Sequence, residues 1–108
     1  MRYDARMIIV SVLYAKTEQS HFDFDYYLAS HVPMVKARFE AFGLQEIRVM
    51  RGSAMLNGSA PVFELIGELS FPTLQHLQDA MGKLGAEIIA DIPNYTNVQP
   101  TIQINEVI

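Results

Sequence analysis

Residues 7–14 read Met-Ile-Ile-Val-Ser-Val-Leu-Tyr, and this stretch decides the fold. Successive side chains of a β-strand point to opposite faces, so the stretch divides into two alternating sets. Both sets are mostly apolar: Met7, Ile9, Ser11 and Leu13 form one, and Ile8, Val10, Val12 and Tyr14 form the other. A strand of this kind is buried on both faces. The pattern predicts a central strand with helices on one face and a second cover, such as another copy of the same sheet, on the other.

A helix is predicted after this strand, with Asp23 as its N-cap. Phe22 and Tyr27 stand where a hydrophobic staple places its two apolar members. Apolar side chains then follow at spacings of three and four residues: Phe24, Tyr27, Leu28, His31, Val35, Phe39 and Phe42. Because Pro33 lacks an N–H, we expect the helix to kink there and to leave the Ala29 carbonyl without its helical partner.

The rest of the chain supplies three more strands and a second helix. Strands are predicted over 44–51, over 63–71, where polar and apolar residues alternate with period two, and over 99–105. Thr73 is the predicted cap of the second helix, whose apolar stripe is Leu74, Leu77, Met81, Leu84 and Ile88. This order predicts an α+β, ferredoxin-like βαββαβ fold. Its four-stranded antiparallel sheet carries both helices on one face, and strands one and three are central.

Composition limits the classes of protein to which the chain can belong. Its 108 residues are 50% hydrophobic and 19% charged, with a net charge of −4. These values predict one domain over residues 7–108, preceded by a flexible leader over residues 1–6. The Lys and Arg residues are scattered, which argues against nucleic-acid binding. The longest uncharged apolar run, residues 7–15, is too short to span a membrane, and no signal peptide is recognisable.

Several kinds of chemistry are absent from the sequence. Without cysteine there is no disulfide, thiolate nucleophile or thiolate metal site, and a cytoplasmic location is expected. No GxSxG elbow, P-loop, GxGxxG or HExxH motif is present, so no cofactor is predicted. His21, Asp23 and Asp25 alternate as metal ligands can, but Asp23 is already explained as a helix cap. We therefore predict no metal site.

His31 is the most distinctive candidate for chemistry. An imidazole on the core side of a helix, beside Pro33, can act as a tuned acid or base. It can also be a packed histidine that donates a hydrogen bond to the carbonyl freed by the proline. Tyr27 shares its face and Tyr26 is adjacent. A Tyr–His pair can orient a carbonyl or a phenol, but tyrosines in a helical stripe are also typical of a core.

The face of the sheet without helices carries charged residues that a dry core would not accept unpaired. They are Arg48, Glu64 and Glu68. Two interpretations stay open, a cross-strand network of ion pairs or the lining of a partly hydrated pocket. RNA binding on this face is disfavoured by the charge and by glutamates in the positions where stacking aromatic residues would be needed.

Three segments together resemble the signature of the EthD family. They are residues 22–28 (Phe-Asp-Phe-Asp-Tyr-Tyr-Leu), 31–34 (His-Val-Pro-Met) and 88–100 (Ile-Ile-Ala-Asp-Ile-Pro-Asn-Tyr-Thr-Asn-Val-Gln-Pro). The resemblance extends over nearly all of residues 7–108. It implies a homodimeric α+β barrel, in which two four-stranded sheets face each other and enclose a cavity. The two-faced first strand agrees with that arrangement.

The resemblance also implies a class of function. The family takes its name from a gene cluster that degrades ethyl tert-butyl ether, where a cytochrome P450 system performs the oxidation. Members are commonly classed as oxidoreductases, and the wider barrel superfamily includes cofactor-free monooxygenases and polyketide cyclases. By position, the family's motifs fall on Asp23, Tyr26, His31, Asn94, Tyr95 and Thr96.

We therefore expect a homodimer whose cavity binds a small, apolar, oxygen-bearing compound. It would act as a cofactor-free oxidoreductase or as an accessory protein, with a protein partner, in a degradative pathway. The predicted catalytic residues are His31 as acid or base, Tyr27 as a hydroxyl partner and Arg48 as the anchor of a developing oxyanion. The predicted ligand-binding residues are Tyr26, Met50, Glu64, Asn94 and Tyr95, of which Tyr95 is a second hydroxyl partner.

Two alternatives stay open at this point, a binding or assembly module without chemistry and an isomerase of the polyketide-cyclase kind. The space between the sheet and the first helix discriminates between catalysis and pure packing. If Tyr27, Phe39 and Met50 fill that space completely, no substrate can enter.

Overall fold

The computed structural model describes residues 7–108, which form a four-stranded antiparallel sheet with two helices packed on one face. The strands are β1 (Ile8–Ala15), β2 (Glu46–Arg51), β3 (Phe63–Phe71) and β4 (Thr101–Glu106). Their order in the sheet is β2-β3-β1-β4. This order confirms the predicted α+β, ferredoxin-like arrangement, with β1 and β3 in the centre. The predicted leader, residues 1–6, lies outside the described residues.

The two faces of the sheet differ in what covers them. Most of the face toward the helices is buried, and its largest enclosed side chains include Tyr14 and Phe71. On the other face, Ile9 and Leu13 of β1 are only half-buried within the single chain. We call this second surface the open face; by strand register and alternation its residues are Ile9, Ser11, Leu13, Glu46, Arg48, Met50, Glu64, Ile66, Glu68, Ser70, Thr101, Gln103 and Asn105.

The first helix begins as the sequence predicts. The Asp23 carboxylate accepts a hydrogen bond from the Tyr26 N–H at 3.0 Å. The rings of Phe22 and Tyr27 meet edge to face with centroids 5.2 Å apart, which confirms the staple. The helix has four consecutive segments: α-helical Phe24–Tyr26, π-helical Tyr27–His31, α-helical Val32–Phe39 and a 3-10 turn at Glu40–Phe42.

The π-helical turn accommodates Pro33. The Val32 N–H donates to the Tyr27 carbonyl, five residues back. The proline then falls in the first turn of the next α-helical segment, where a missing N–H is tolerated. The wider turn brings every fourth side chain to the sheet, namely Tyr27, His31, Val35 and Phe39, all buried. The predicted place of Leu28 in this stripe is wrong, because its side chain is rotated outward and is 53% exposed.

The second helix spans Leu74–Ala90 and is capped by the Thr73 hydroxyl, as predicted. Leu77 is buried, but Leu74 and Met81 of the predicted stripe remain 44% and 36% exposed. On the same side of the sheet, the β4 side chains Ile102 and Ile104 are about half exposed. The helices therefore do not extend over β4, which lies at the edge of the sheet, and an apolar margin is left there.

No helix within residues 7–108 is both long enough and apolar enough to cross a lipid bilayer. Across the same residues, no three His, Asp or Glu side chains come together as a group that could hold a metal ion.

Replacing the cap of the first helix gives a test of local stability. We expect Asp23→Ala to lower the free energy of unfolding by about 1 kcal/mol, because the Tyr26 N–H loses its acceptor. Asp25→Ala removes an exposed acid from the same turn and is the matched control. It should lower the free energy of unfolding by only a few tenths of a kcal/mol. Urea denaturation followed by circular dichroism measures both. Equal losses in the two variants would contradict the capping role.

Candidate functional site

A buried chain of hydrogen bonds joins side chains that are far apart in the sequence. Nδ1 of His31 lies 2.9 Å from Oδ2 of Asp91, and its Nε2 lies 3.3 Å from the Tyr95 hydroxyl. The Tyr95 hydroxyl in turn lies 2.6 Å from the Tyr14 hydroxyl. This cluster connects the first helix, the end of the second helix and the central strand β1. We call these four residues the polar cluster.

Hydrogen bonds to backbone carbonyls fix the segment that carries Tyr95. A 3-10 turn at Ile92–Asn94 follows the second helix and directs Tyr95 back toward the sheet. The Asp23 N–H donates to the Tyr95 carbonyl at 2.7 Å, and the Thr96 hydroxyl donates to the His21 carbonyl at 2.6 Å. The start of the first helix and the turn after the second helix are thus tied together around the site.

The charges of the cluster follow from burial and hydrogen bonding. Burial lowers the pKa of His31 and outweighs the opposing influence of the Asp91 carboxylate. Burial raises the pKa of Asp91, but hydrogen bonds to its carboxylate outweigh burial and hold the pKa below the ordinary value; the donors are Asn94, His31 and Tyr26. At neutral pH, Asp91 is therefore ionised and His31 is neutral.

The tyrosines of the site stay protonated. Burial raises the pKa of Tyr14, of Tyr95 and of Tyr27. Tyr27 stacks on His31 with ring centroids 5.4 Å apart, and its hydroxyl has no hydrogen-bond partner within residues 7–108. Gly67 of β3 makes room for this hydroxyl, since a Cβ at that position would stand 3.1 Å from it. The Tyr27 hydroxyl is thus neutral, and its hydrogen donates to no other group within residues 7–108.

An apolar cavity of about 80 Å³ lies between the sheet and the two helices. Its lining is hydrocarbon apart from Met81, Tyr14, Tyr27 and His31. One water molecule needs about 10–15 Å³ of free volume of this kind, so the cavity has room for a small organic group. Tyr27 and Phe39 therefore do not fill the space beside the first helix. Met50, predicted to bind ligand, lies on the open face and does not line the cavity.

Two predicted ligand-binding residues contact Asp91 rather than the cavity. The Tyr26 hydroxyl donates to Oδ1 of Asp91 at 2.8 Å, and Nδ2 of Asn94 donates to the same oxygen at 2.9 Å. Neither residue lines the cavity. Their hydrogen bonds orient the carboxylate, which leaves its other oxygen for His31.

The structure does not bring Arg48 to His31. Arg48 and Glu64 belong to the open face, on the opposite side of the sheet from the cavity. Nη2 of Arg48 pairs with Oε1 of Glu68 at 3.2 Å, and Nζ of Lys16 lies 3.8 Å from Oε1 of Glu64. The other Glu64 oxygen is enclosed without a hydrogen-bond partner among the described residues. Arg48 and Glu68 thus form a cross-strand pair, and Arg48 cannot anchor an oxyanion beside His31 in one chain.

Sequence reasoning missed Tyr14 and Asp91 as site residues. Tyr14 stands at the end of β1 in the alternating set that faces the helices, and the sequence pattern is typical of a packed core residue there. Asp91 is the only acidic residue in the family-like segment 88–100, and that was the available signal. Both enter the site through contacts between residues remote in sequence.

The sheet topology and the enclosed polar cluster define a ferredoxin-like α+β protein with a small apolar cavity beside a buried histidine. It is similar to the crystal structure of an EthD-like protein from Ralstonia eutropha JMP134. The two share 38% identity, with 96% of this chain and 94% of the other covered and a TM-score of 0.88. The chain belongs to the EthD-like family, as the motifs of residues 22–34 and 88–100 predict.

Two further crystal structures share the fold. An ethyl tert-butyl ether (EthD) family protein from Bacillus halodurans C-125 is 24% identical over 94% of this chain and 99% of its own, with a TM-score of 0.67. A protein of unknown function from Nitrosomonas europaea is 16% identical over 96% and 90% of the two chains, with a TM-score of 0.56. No protein-family model and no curated protein matches the chain.

The lowered pKa of His31 makes a prediction about stability. Below its ordinary pKa of 6.5 the unfolded chain takes up a proton that folded His31 resists, so the free energy of unfolding should fall from pH 7 to pH 5. Above pH 7 this contribution is constant. The titratable groups around His31 are Asp91, Tyr27 and Tyr95, and none of them changes charge in this window.

The measurement compares urea denaturation at the two pH values in three proteins. His31→Gln should show a smaller fall in stability than the unsubstituted protein, because its side chain does not titrate. His21→Gln removes an exposed histidine and should keep the contribution of His31. Parallel pH dependences for the unsubstituted protein and His31→Gln would contradict the assignment.

Proposed function

We propose that this EthD-like protein binds a small, neutral, apolar compound with an oxygen group in the cavity, and that His31 acts on it as general base or acid. The observation that supports this most is a neutral histidine in the wall of an otherwise apolar cavity, paired with an ionised aspartate. The name of the Bacillus relative refers to ethyl tert-butyl ether, a small apolar molecule with one oxygen. Its hydrocarbon groups match the apolar lining of this cavity.

The lining favours a neutral ligand over a charged one. Apolar side chains contribute about 25 cal/mol for each Å² of ligand surface that they remove from water. A carboxylate would lose its hydration there, and no Lys or Arg lines the cavity to compensate. The uncommitted Tyr27 hydroxyl offers a hydrogen bond to one ligand oxygen. Together these features support a compound that is mostly hydrocarbon with a single polar end.

Asp91 supports the acid–base role of His31. Its carboxylate holds the imidazole in one tautomer, with the hydrogen on Nδ1, and would stabilise the imidazolium formed when a proton from the ligand is passed through the Tyr14 and Tyr95 hydroxyls to Nε2. The histidine can then return that proton to the ligand. Such a cycle needs no redox cofactor, and a well-placed base contributes about 10²–10⁴ in rate.

We further propose a homodimer in which a second copy covers the open face. The apolar side chains Ile9, Leu13 and Ile66 lie at the centre of that face and are only half-buried in one chain. One oxygen of Glu64 also lacks a hydrogen-bond partner within the described chain. A two-fold symmetric contact would bury the apolar centre and bring donors to this carboxylate.

Cyclopentanone is a suitable probe of the cavity, because it is compact, neutral and mostly hydrocarbon. We expect the protein to bind it with a dissociation constant on the order of 1 mM, measured by saturation-transfer NMR. Val12→Phe places a ring in the cavity and should abolish binding. Val62→Phe, at an exposed position, is the matched control and should bind normally. Equal binding by Val12→Phe would place the ligand elsewhere.

The same samples in D₂O test the acid–base role. We expect the protein to catalyse exchange of the hydrogens next to the ketone carbon, and His31→Gln to lose about 10²-fold of that rate. His21→Gln should retain it. Binding without exchange would mean that the protein is a carrier of such compounds rather than an enzyme.

The dimer is tested by native mass spectrometry. The unsubstituted protein should appear at twice the chain mass. Leu13→Glu places an unpaired charge at the centre of the open face and should give single chains. Leu56→Glu makes the same kind of change in an exposed loop and should leave the dimer intact. A dimer that survives Leu13→Glu would have to use another surface.

A further inference from the structure

The hydrogen bonds of the polar cluster have one consistent direction. The Asp91 carboxylate can only accept, so the hydrogen that it shares with His31 must be carried by Nδ1. Because His31 is neutral, its Nε2 has a lone pair and no hydrogen. The Tyr95 hydroxyl, 3.3 Å away, is therefore the donor to Nε2.

The same reasoning continues to the cavity wall. A phenol has one hydrogen, and that of Tyr95 is committed to His31, so its oxygen accepts from Tyr14 at 2.6 Å. The single hydrogen of Tyr14 is thereby committed as well. Tyr95 is buried behind the lining, whereas Tyr14 lines the cavity. The Tyr14 hydroxyl therefore meets a ligand as an acceptor and not as a donor.

We infer that the cavity selects compounds whose oxygen carries a hydrogen, namely alcohols, phenols or enols, and that this hydroxyl donates to Tyr14 while Tyr27 donates to the ligand oxygen. This inference rests on the proposed binding function and names its ligand class. Tyr14 and Tyr27 line the same cavity, and the Tyr27 hydroxyl has no partner among the described residues. A hydroxyl group satisfies both tyrosines at once. A ketone or an ether can only accept, so it would pair with Tyr27 and leave the Tyr14 oxygen without a donor.

Tyr95 is a positioning residue in this scheme. It does not line the cavity, but it determines whether the Tyr14 hydroxyl donates to a ligand or accepts from it. Without the Tyr95 oxygen, the hydrogen of Tyr14 would be free to point at the ligand. Tyr14 could then donate to a ketone as readily as it accepts from an alcohol. The ligand preference inside the cavity thus depends on a hydroxyl outside it, which a purely structural role for Tyr95 would not produce.

The test compares cyclopentanol with cyclopentanone, two ligands of nearly equal shape, by competitive saturation-transfer NMR. We expect the alcohol to bind on the order of tenfold more tightly than the ketone, because only the alcohol pairs with both tyrosines. In Tyr95→Phe that ratio should fall to near unity, with the cavity itself unchanged. Val62→Phe should keep the unsubstituted ratio.

The outcomes separate this inference from the proposed function. If the ketone binds as tightly as the alcohol in the unsubstituted protein, or if Tyr95→Phe keeps the preference, the inferred acceptor role of Tyr14 is wrong although the cavity still binds ligand. If neither compound binds, the proposed function fails and the inference fails with it. Thermal unfolding of Tyr95→Phe shows whether the variant is folded; if it is not, His31→Gln serves instead. A glutamine amide nitrogen facing Tyr95 would donate, reverse the direction of the chain and also remove the preference.

Discussion

A buried imidazole needs a hydrogen-bond partner on each nitrogen. At His31 these partners join the first helix to the end of the second helix and, through Tyr95, to the central strand. One partner, Asp91, comes from the end of the second helix, and the other, Tyr95, comes from the turn that follows it. Tyr95 in turn bonds to Tyr14 on the central strand. Removing any one of these groups would leave an unpaired polar atom in a region of low dielectric, where the penalty is largest. The cluster is thus a structural constraint as well as a candidate site.

The position of His31 depends on the π-helical turn before Pro33. A regular α-helix would require an N–H at residue 33, which proline lacks. The extra residue in the π-helical turn accommodates this missing donor. The wider turn also stacks Tyr27 on His31, with the two rings inclined by only 22°. Gly67 then accommodates the hydroxyl that this stacking projects onto the sheet. The feature that perturbs the helix is therefore the one that places its two polar side chains in the cavity wall.

Local patterns predicted what depends on local physics. Alternation along residues 63–71 gave the strand, and the caps Asp23 and Thr73 act within one turn of helix. Pairs such as Tyr14 and Tyr95 are 81 residues apart and leave no periodic trace, so only the folded chain reveals them. Arg48 was grouped with His31 because a developing oxyanion needs a cation, and no family motif contains Arg48. Alternation within β2 already sends Arg48 to the open face, and the local pattern was the better guide.

The central strand carries two different chemistries on its two faces. Tyr14 ends a neutral, directional chain of hydrogen bonds on the cavity side, while the adjacent Leu13 lies at the centre of the open face. The pairing with β3 shifts register just after Tyr14, which is how sheets re-aim a side chain near a site. Because Leu13 and Tyr14 share a backbone, whatever packs against the open face also restrains the strand that positions the Tyr14 hydroxyl. If a second copy covers the open face and the cavity selects ligands as proposed, assembly and ligand selection act on the same segment of chain.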